Sequence, residues 1–238
     1  MNFRALVAAC SAMLAAAELG AHEDVKTTLR FLVSQAVERK GVQMTGAPHL
    51  AENPPKKGSF FLHSHGKFVR VEFSEGRRTP EFAYEGPRRC PIYKAGKDGS
   101  SGFDKIGEVL LPTSSQCTVW LTPNSATNFS AVALPHGDDA LKKGWILLLN
   151  QTGDKLVLRV DGKNRAVLNK GKTKAIPVRA ADGSSLHFSV SSRPPGQKER
   201  LEFSREYVVI KNSKSACIFY RTVENGPVDV KMLSGLDH

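Results

Sequence analysis

This 238-residue chain is short of cysteine, aromatics and acids. Four cysteines exclude a small scaffold stapled by disulfides in place of a core. Aromatic residues make up 8%, and no nucleic-acid reader motif occurs, so a binder that stacks bases is not expected. Past the N-terminus, no uncharged apolar run approaches the roughly 18 residues that a membrane-spanning helix needs. Acidic residues number 23 against 34 lysines and arginines, a net charge of +11 that excludes an acidic solvating protein and favours anionic partners. What remains suits a globular protein: 40% apolar and 24% charged residues can build a core and are too balanced for disorder.

Catalytic signatures are missing as well. The sequence has no Gly-x-Ser-x-Gly elbow, phosphate-binding Walker loop, dinucleotide glycine pattern or His-Glu-x-x-His. The neighbouring carboxylates Asp138 and Asp139 fall in a polar stretch and read as surface loop, not as an acid–base pair. The expectation is a protein without enzymatic activity.

The clearest positive feature is an export signal. Arg4 supplies a basic start, Ala5 to Ala17 an apolar run, and Ala17 and Ala21 the small residues that precede a cleaved bond. Cleavage after Ala21 would leave a mature chain beginning at His22, periplasmic or secreted. Val7-Ala8-Ala9-Cys10 also has the form of a lipid-attachment box, but only five residues separate Arg4 from Cys10. That is short for the apolar stretch, so lipoprotein anchoring is the lesser expectation. One base (Arg4) and one acid (Glu18) leave with the signal, and the charge stays at +11. Cys90, Cys117 and Cys217 remain, enough for one disulfide at most, and otherwise read as small buried hydrophobes.

From Asp24 to Lys40, Val25, Leu29, Leu32, Val33 and Ala36 fall on one helical stripe that Gly41 is placed to end. Leu29, Phe31 and Val33 also alternate, so a strand is the rival, and the helix is preferred. Thr45 to Gly58, with three prolines, reads as loop. Short alternating runs follow: Phe68 to Phe73, Phe82 and Tyr84, Val109 to Leu111, and Cys117 to Leu121. The style continues through Trp145 to Leu149, Leu156 to Val160, Leu186 to Val190, Tyr207 to Ile210 and Ile218 to Tyr220. Turn clusters lie between them at Glu75-Gly76, Lys97-Asp98-Gly99, Asp161-Gly162, Asp182-Gly183 and Asn225-Gly226-Pro227. The pattern predicts an all-β chain of two Ig-like β-sandwich domains in tandem, residues 22–140 and 141–238.

An internal repeat supports the duplication. Val109 and Val209, Ser115 and Ser215, and Cys117 and Cys217 fall in step at an offset of 100, with Trp120 matching Tyr220. A second alignment runs from Phe73 through Tyr84-Glu85-Gly86 to Pro91-Ile92-Tyr93. Its counterpart runs from Val160 through Asn169-Lys170-Gly171 to Ile176-Pro177-Val178. The polar segment Pro135 to Lys143 suits a linker.

Three kinds of site are suggested. His63 and His65, two apart, would share one face of a strand and could ligate Zn or Cu with a third ligand from His22, His49, His136 or a cysteine. An N-terminal His22 adds its α-amine beside its ring, a chelate suited to Cu(II). The rival is an exposed hairpin near Gly66. Second, Arg77, Arg78, Arg88 and Arg89 form basic pairs, and Lys170, Lys172 and Lys174 alternate, so a strand would place all three on one face. These seven are the candidate polyanion-binding residues, with salt-sensitive affinity. The lysine row could equally protect an edge strand.

Third, Leu111-Pro112, Trp120-Leu121 and Asn150-Gln151-Thr152-Gly153 resemble in outline segments of the periplasmic chaperones of pilus assembly. The resemblance implies capture of a protein partner along an edge strand, with its carboxylate held by basic residues. The first strands of that family and their arginine are not identifiable, so no residue role carries over. Together these features lead to the expectation of an exported binding or interaction protein of the cell envelope. Its partner would be an anionic polymer or a protein, and not nucleic acid.

Overall fold

The computed structural model describes residues 23–34, 55–96, 102–123, 128–162, 164–178, 185–194, 196–208, 210, 212–221 and 226–236. The expected signal peptide, Cys10, His22 and His49 lie outside these residues. Within them every regular element is a strand, and the chain divides after Pro135 into two compact units.

The first unit holds β1 (Asp24–Val33), β2 (Lys57–Ser64), β3 (Lys67–Ser74), β4 (Phe82–Pro87), β5 (Arg89–Ala95), β6 (Phe103–Leu110), β7 (Gln116–Pro123) and β8 (Phe129–Pro135). The second holds β9 (Trp145–Asn150), β10 (Lys155–Val160), β11 (Asn164–Leu168), β12 (Thr173–Pro177), β13 (Ser185–Arg193), β14 (Arg200–Val208), β15 (Ser215–Tyr220) and β16 (Asp229–Leu233). Each unit pairs two four-stranded sheets. The orders are β4-β1-β7-β8 and β3-β2-β5-β6 in the first, and β12-β9-β15-β16 and β11-β10-β13-β14 in the second. Adding eight to every strand of the first unit gives the second. The all-β tandem sandwich is therefore observed, with the same topology in both halves.

The preferred N-terminal helix is a strand. Val25, Thr27, Leu29, Phe31 and Val33 are all buried, a period of two that the helical stripe through Leu29 and Leu32 had obscured. β1 is also central: it pairs antiparallel with β4 and parallel with β7, so its backbone groups are satisfied on both sides. Branched residues at 25, 27, 28 and 33 suit that pleated setting better than a helix.

The two alignments of the repeat fare differently. Leu29 stands opposite Cys117 across β1 and β7, and Leu148 stands opposite Cys217 across β9 and β15. The offset of 100 is thus in register. The second alignment is one strand out of step, because topology equates β3 with β11 and β5 with β13, whereas Val160 ends β10 and Ile176 lies in β12. Strand-turn composition recurs too often to fix register by itself.

Each unit has its own core. Leu29, Phe31, Phe60, Leu62, Ile92 and Val119 centre the first, and Leu148, Leu156, Leu158, Phe188, Val190 and Phe219 the second. The segment read as a linker is folded onto the second unit. Leu141 is buried, Leu141 and Ala140 both donate backbone hydrogen bonds to the Gly137 carbonyl, and the buried Lys214 ammonium reaches the His136 carbonyl and Asp138 Oδ1, each at 2.6 Å.

Cys90, Cys117 and Cys217 are free and buried. Burial pushes the Cys90 thiol up to about 11, against a hydrogen bond with Tyr84 that lowers it, and pushes Cys117 and Cys217 up to about 12. Residue-resolved alkylation at pH 8 should therefore leave all three unmodified in the folded chain and modify all three in denaturant. Fast native labelling of any of them would contradict these core positions.

Candidate functional site

The site grows from β2. Phe60 and Leu62 enter the core, so by alternation Phe61 and His63 stand on the outer face of the sheet. His65 and Gly66, both left-handed with φ of 51° and 74°, turn the chain tightly into β3. That hairpin register sets Phe68 opposite His63 and Arg70 opposite Phe61. On the other side, β5 brings Tyr93 opposite Phe61, and β6 brings Phe103 opposite Ala95. Four strands thus deliver five rings to one outer face.

The rings touch. Phe68 stacks on Phe103 with centroids 3.9 Å apart and planes 19° off parallel. Phe61 meets Phe103 edge-on at 4.9 Å, Tyr93 meets Phe68 edge-on at 5.2 Å, and His63 meets Phe68 at 5.4 Å. Such pairs contribute about 0.5–1.5 kcal/mol each beyond burial. Phe68 nonetheless keeps 41% of its surface in water. Charges rim the cluster: Arg70 lies 3.4 Å from Glu72, and Glu108 binds Arg89 at 2.7 Å and Lys105 at 2.5 Å. The hydrogen bonds from Lys105 and then Arg89 hold the Glu108 carboxyl below its ordinary range.

The matching sheet of the second unit supplies a control. Its outer face carries Arg159, His187, Ser189, Ser191, Ser204 and Glu206 together with the aliphatic Val157, Val167, Leu201 and Val208, and no Phe, Tyr or Trp among its described residues. One topology with two surface chemistries shows that the fold does not require the rings.

The residues singled out from sequence are dispersed. His63 lies on the aromatic face, but His65 is in the turn, with Nδ1 3.0 Å from Ser64 Oγ and Nε2 3.5 Å from Glu85. The left-handed turn begins where a continuing strand was expected, so the two imidazoles do not share a strand face. Among the described residues no group of three His, Cys, Asp or Glu is placed to hold a metal.

Arg77 is exposed in the turn after β3, and Arg78 forms a backbone bridge to Leu32. Arg88 Nε donates to the Leu111 carbonyl at 3.0 Å. Arg89 alternates with Tyr93 and joins the aromatic rim. Lys170, Lys172 and Lys174 are exposed, but Lys174 alone of the three lies within β12, and left-handed Gly171 breaks the alternation. They form no single strand row.

A second polar cluster, unanticipated from sequence, closes one end of the second unit. Glu202, with 2% of its side chain exposed, accepts from Ser192 Oγ, Arg200 Nη2 at 2.8 Å, Val228 N at 3.1 Å and Arg221 Nη2 at 3.2 Å. Arg221 also binds Asp154 at 2.6 Å and the Gly226 carbonyl. Burial opposes the charge on Glu202, yet these donors outweigh it and pull the carboxyl down to about 2. Every charged partner is answered within the unit, so the cluster is a structural clasp between β13, β14, β15 and the approach to β16.

Compared with known proteins, the chain matches no family model, and no curated protein matches it significantly in sequence.

Glu202 makes stability depend on pH. Its folded pKa lies below the ordinary carboxylate value, so its contribution is full above about pH 5 and is lost as pH falls toward 2. At about 1.4 kcal/mol per unit, that contribution is on the order of 3 kcal/mol. Denaturation curves of the wild type and Glu202→Gln should differ by roughly that amount at pH 7 and converge near pH 2. A constant difference across this range would show that the carboxylate is not the source.

Proposed function

We propose that the protein is an exported, non-enzymatic binding protein of the cell envelope whose first sandwich holds its partner on the aromatic outer face of the β3-β2-β5-β6 sheet. The carrying observation is the contrast between two sheets of one topology. The first gathers the contacting rings of Phe61, Phe68, Tyr93 and Phe103 on its outer face, where the described residues of the second include no aromatic ring and combine serines and charges with the aliphatic Val157, Val167, Leu201 and Val208. Keeping a cluster with Phe68 open to water is unfavourable unless something covers it. The closest approach to a nucleophile–base pair noted on the other face, Ser204 Oγ 2.8 Å from His187 Nε2, stands on an exposed strand surface. That open setting favours binding over catalysis.

A second reading, edge-strand capture, draws on β14. This nine-residue strand ends its sheet and exposes Leu201 (62%) and Val208 (69%). Its counterpart β6 is guarded: a Cβ built on Gly107 would stand 3.0 Å from the Phe129 carbonyl oxygen of β8.

Retention of the full chain on native envelope extract separates the two. Phe68→Ser with Tyr93→Ser should lower retention at least tenfold, whereas Leu201→Ser with Val208→Ser should leave it unchanged. Retention by the wild type should persist near 1 M salt, where the screening length falls to about 3 Å. The opposite pattern of variants would transfer the function to β14, and release at modest salt would return it to the basic residues.

A further inference from the structure

We infer that the ligand of the aromatic face is a glycan that is neutral or sparsely charged. The inference rests on the reading of that face as the binding surface and specifies its ligand. Four observations favour sugar.

The apolar part of the face is mainly aromatic: Phe61, Phe68, Tyr93 and Phe103, joined by the His63 imidazole, with the aliphatic Leu110 exposed at its margin opposite Arg89. The axial C–H groups of a pyranose carry slight positive charge and pack on the negative face of such rings, whose quadrupole is the basis of the attraction. Beside Phe68 on the same strand stand Arg70 and Glu72, 3.4 Å apart and both largely exposed. They offer a planar donor fork and a two-oxygen acceptor, the complement of vicinal hydroxyls that donate and accept together.

The charge balance of the face argues against a polyanion. Lys57, Arg70, Arg89 and Lys105 share the face with Glu72 and Glu108, four cations against two anions, and each carboxylate is already paired with a cation of the set. A phosphate polymer gains affinity by releasing its own condensed counterions as protein cations neutralise it, and a surplus of two cations gives little of that gain. A protein partner is disfavoured by area. Specific protein interfaces take about 800 Å² from each partner, whereas Phe68 is the one exposed ring here and Phe61, Tyr93 and Phe103 are half-buried. A short run of sugar units needs no more than this.

The test is affinity electrophoresis of the full chain through native gels cast with laminarin, yeast mannan, dextran or hyaluronan, beside a mobility shift with polyuridylate. At least one of the three neutral polysaccharides should slow the wild type twofold or more, with hyaluronan no more effective. Phe68→Leu keeps apolar bulk but removes the ring, and it should abolish the retardation while the chain stays folded, its thermal midpoint lowered by several degrees with the lost ring contacts but still well above the running temperature of the gel. Arg70→Gln should weaken the retardation by about tenfold in polysaccharide concentration.

Absence of retardation by every neutral polysaccharide overturns the inference, as does a shift by polyuridylate or hyaluronan alone. If the wild type still binds envelope extract through Phe68 while no polysaccharide slows it, the ligand assignment fails and the face survives as a binding surface. If extract binding is indifferent to Phe68, the face itself fails and the inference with it.

Discussion

The parallel pairing of the first strand of each sandwich with its seventh is the interaction on which the architecture depends. β1 lies beside β7, and β9 beside β15, so each sheet is joined at its centre by residues far apart in sequence. A parallel pair cannot be closed by a hairpin, and the chain between its two strands builds the opposing sheet and one further strand beside the first. This explains the unbroken apolar runs Val119 to Leu121 and Ala216 to Phe219. Strands at the centre of such a sheet are buried on both faces and lose the polar alternation of a solvent-facing strand. It also explains the buried thiols, since Cys117 in the β1–β7 ladder and Cys217 in the corresponding β9–β15 ladder each stand opposite a leucine, where a small hydrophobe fits between packed strands.

Once that ladder is formed, the second sheet of each sandwich needs only one apolar face. Its outer face is then free to vary, and the two units have varied it in opposite directions. In the second unit, His187 opposes Glu206 and Ser189 opposes Ser204, and the apolar residues among them, Val157, Val167, Leu201 and Val208, are aliphatic. In the first, the alternating positions of β2 carry phenylalanine on both faces, with Phe60 inside and Phe61 outside. The tightness of the packing follows from register. His65 and Gly66 fix the hairpin, and the irregularity between Ile92 and Tyr93 shifts the partners of β6 by one residue, so that Phe103 can reach Phe68.

These differences determine what could be read from the residues alone. Nine of the sixteen strands announce themselves, β3 and β13 by period-two patterning and β7 and β9 by dense apolar runs. β1 misleads because Leu29, Leu32 and Val33 satisfy a helical and an extended period at once, and only partners on both sides decide between them. β2 hides because the proline-rich segment before it reads as loop up to Gly58, the second residue of the strand. With β2 unread, nothing gathers Phe61, Phe68, Tyr93 and Phe103, which come from four strands. Their convergence is a property of register, not of spacing. The adjacent pair Phe60-Phe61 was the available signal, since a strand with one solvated face should not carry bulky rings at successive positions. The Glu202 clasp was invisible for the same reason: Asp154, Ser192, Glu202 and Arg221 meet only when four segments are folded.

The contrast between the clasp and the aromatic face also shows why charge alone was a poor guide to function. A chain with +11 invites a search for anion sites, yet its best-placed cations are engaged internally: Arg221 with Asp154 and Glu202, Lys214 with Asp138, Arg89 and Lys105 with Glu108. A guanidinium held by two carboxylates has little left with which to attract a third, and separating the set would leave buried charge unanswered. Apolar surface obeys a different rule. A ring that has already stacked on one side still gains from losing water on the other, because the driving force scales with area and not with valence. In this molecule the ion pairs therefore act mainly to hold the fold, while the rings, saturated by no neighbour, retain the larger capacity for a partner.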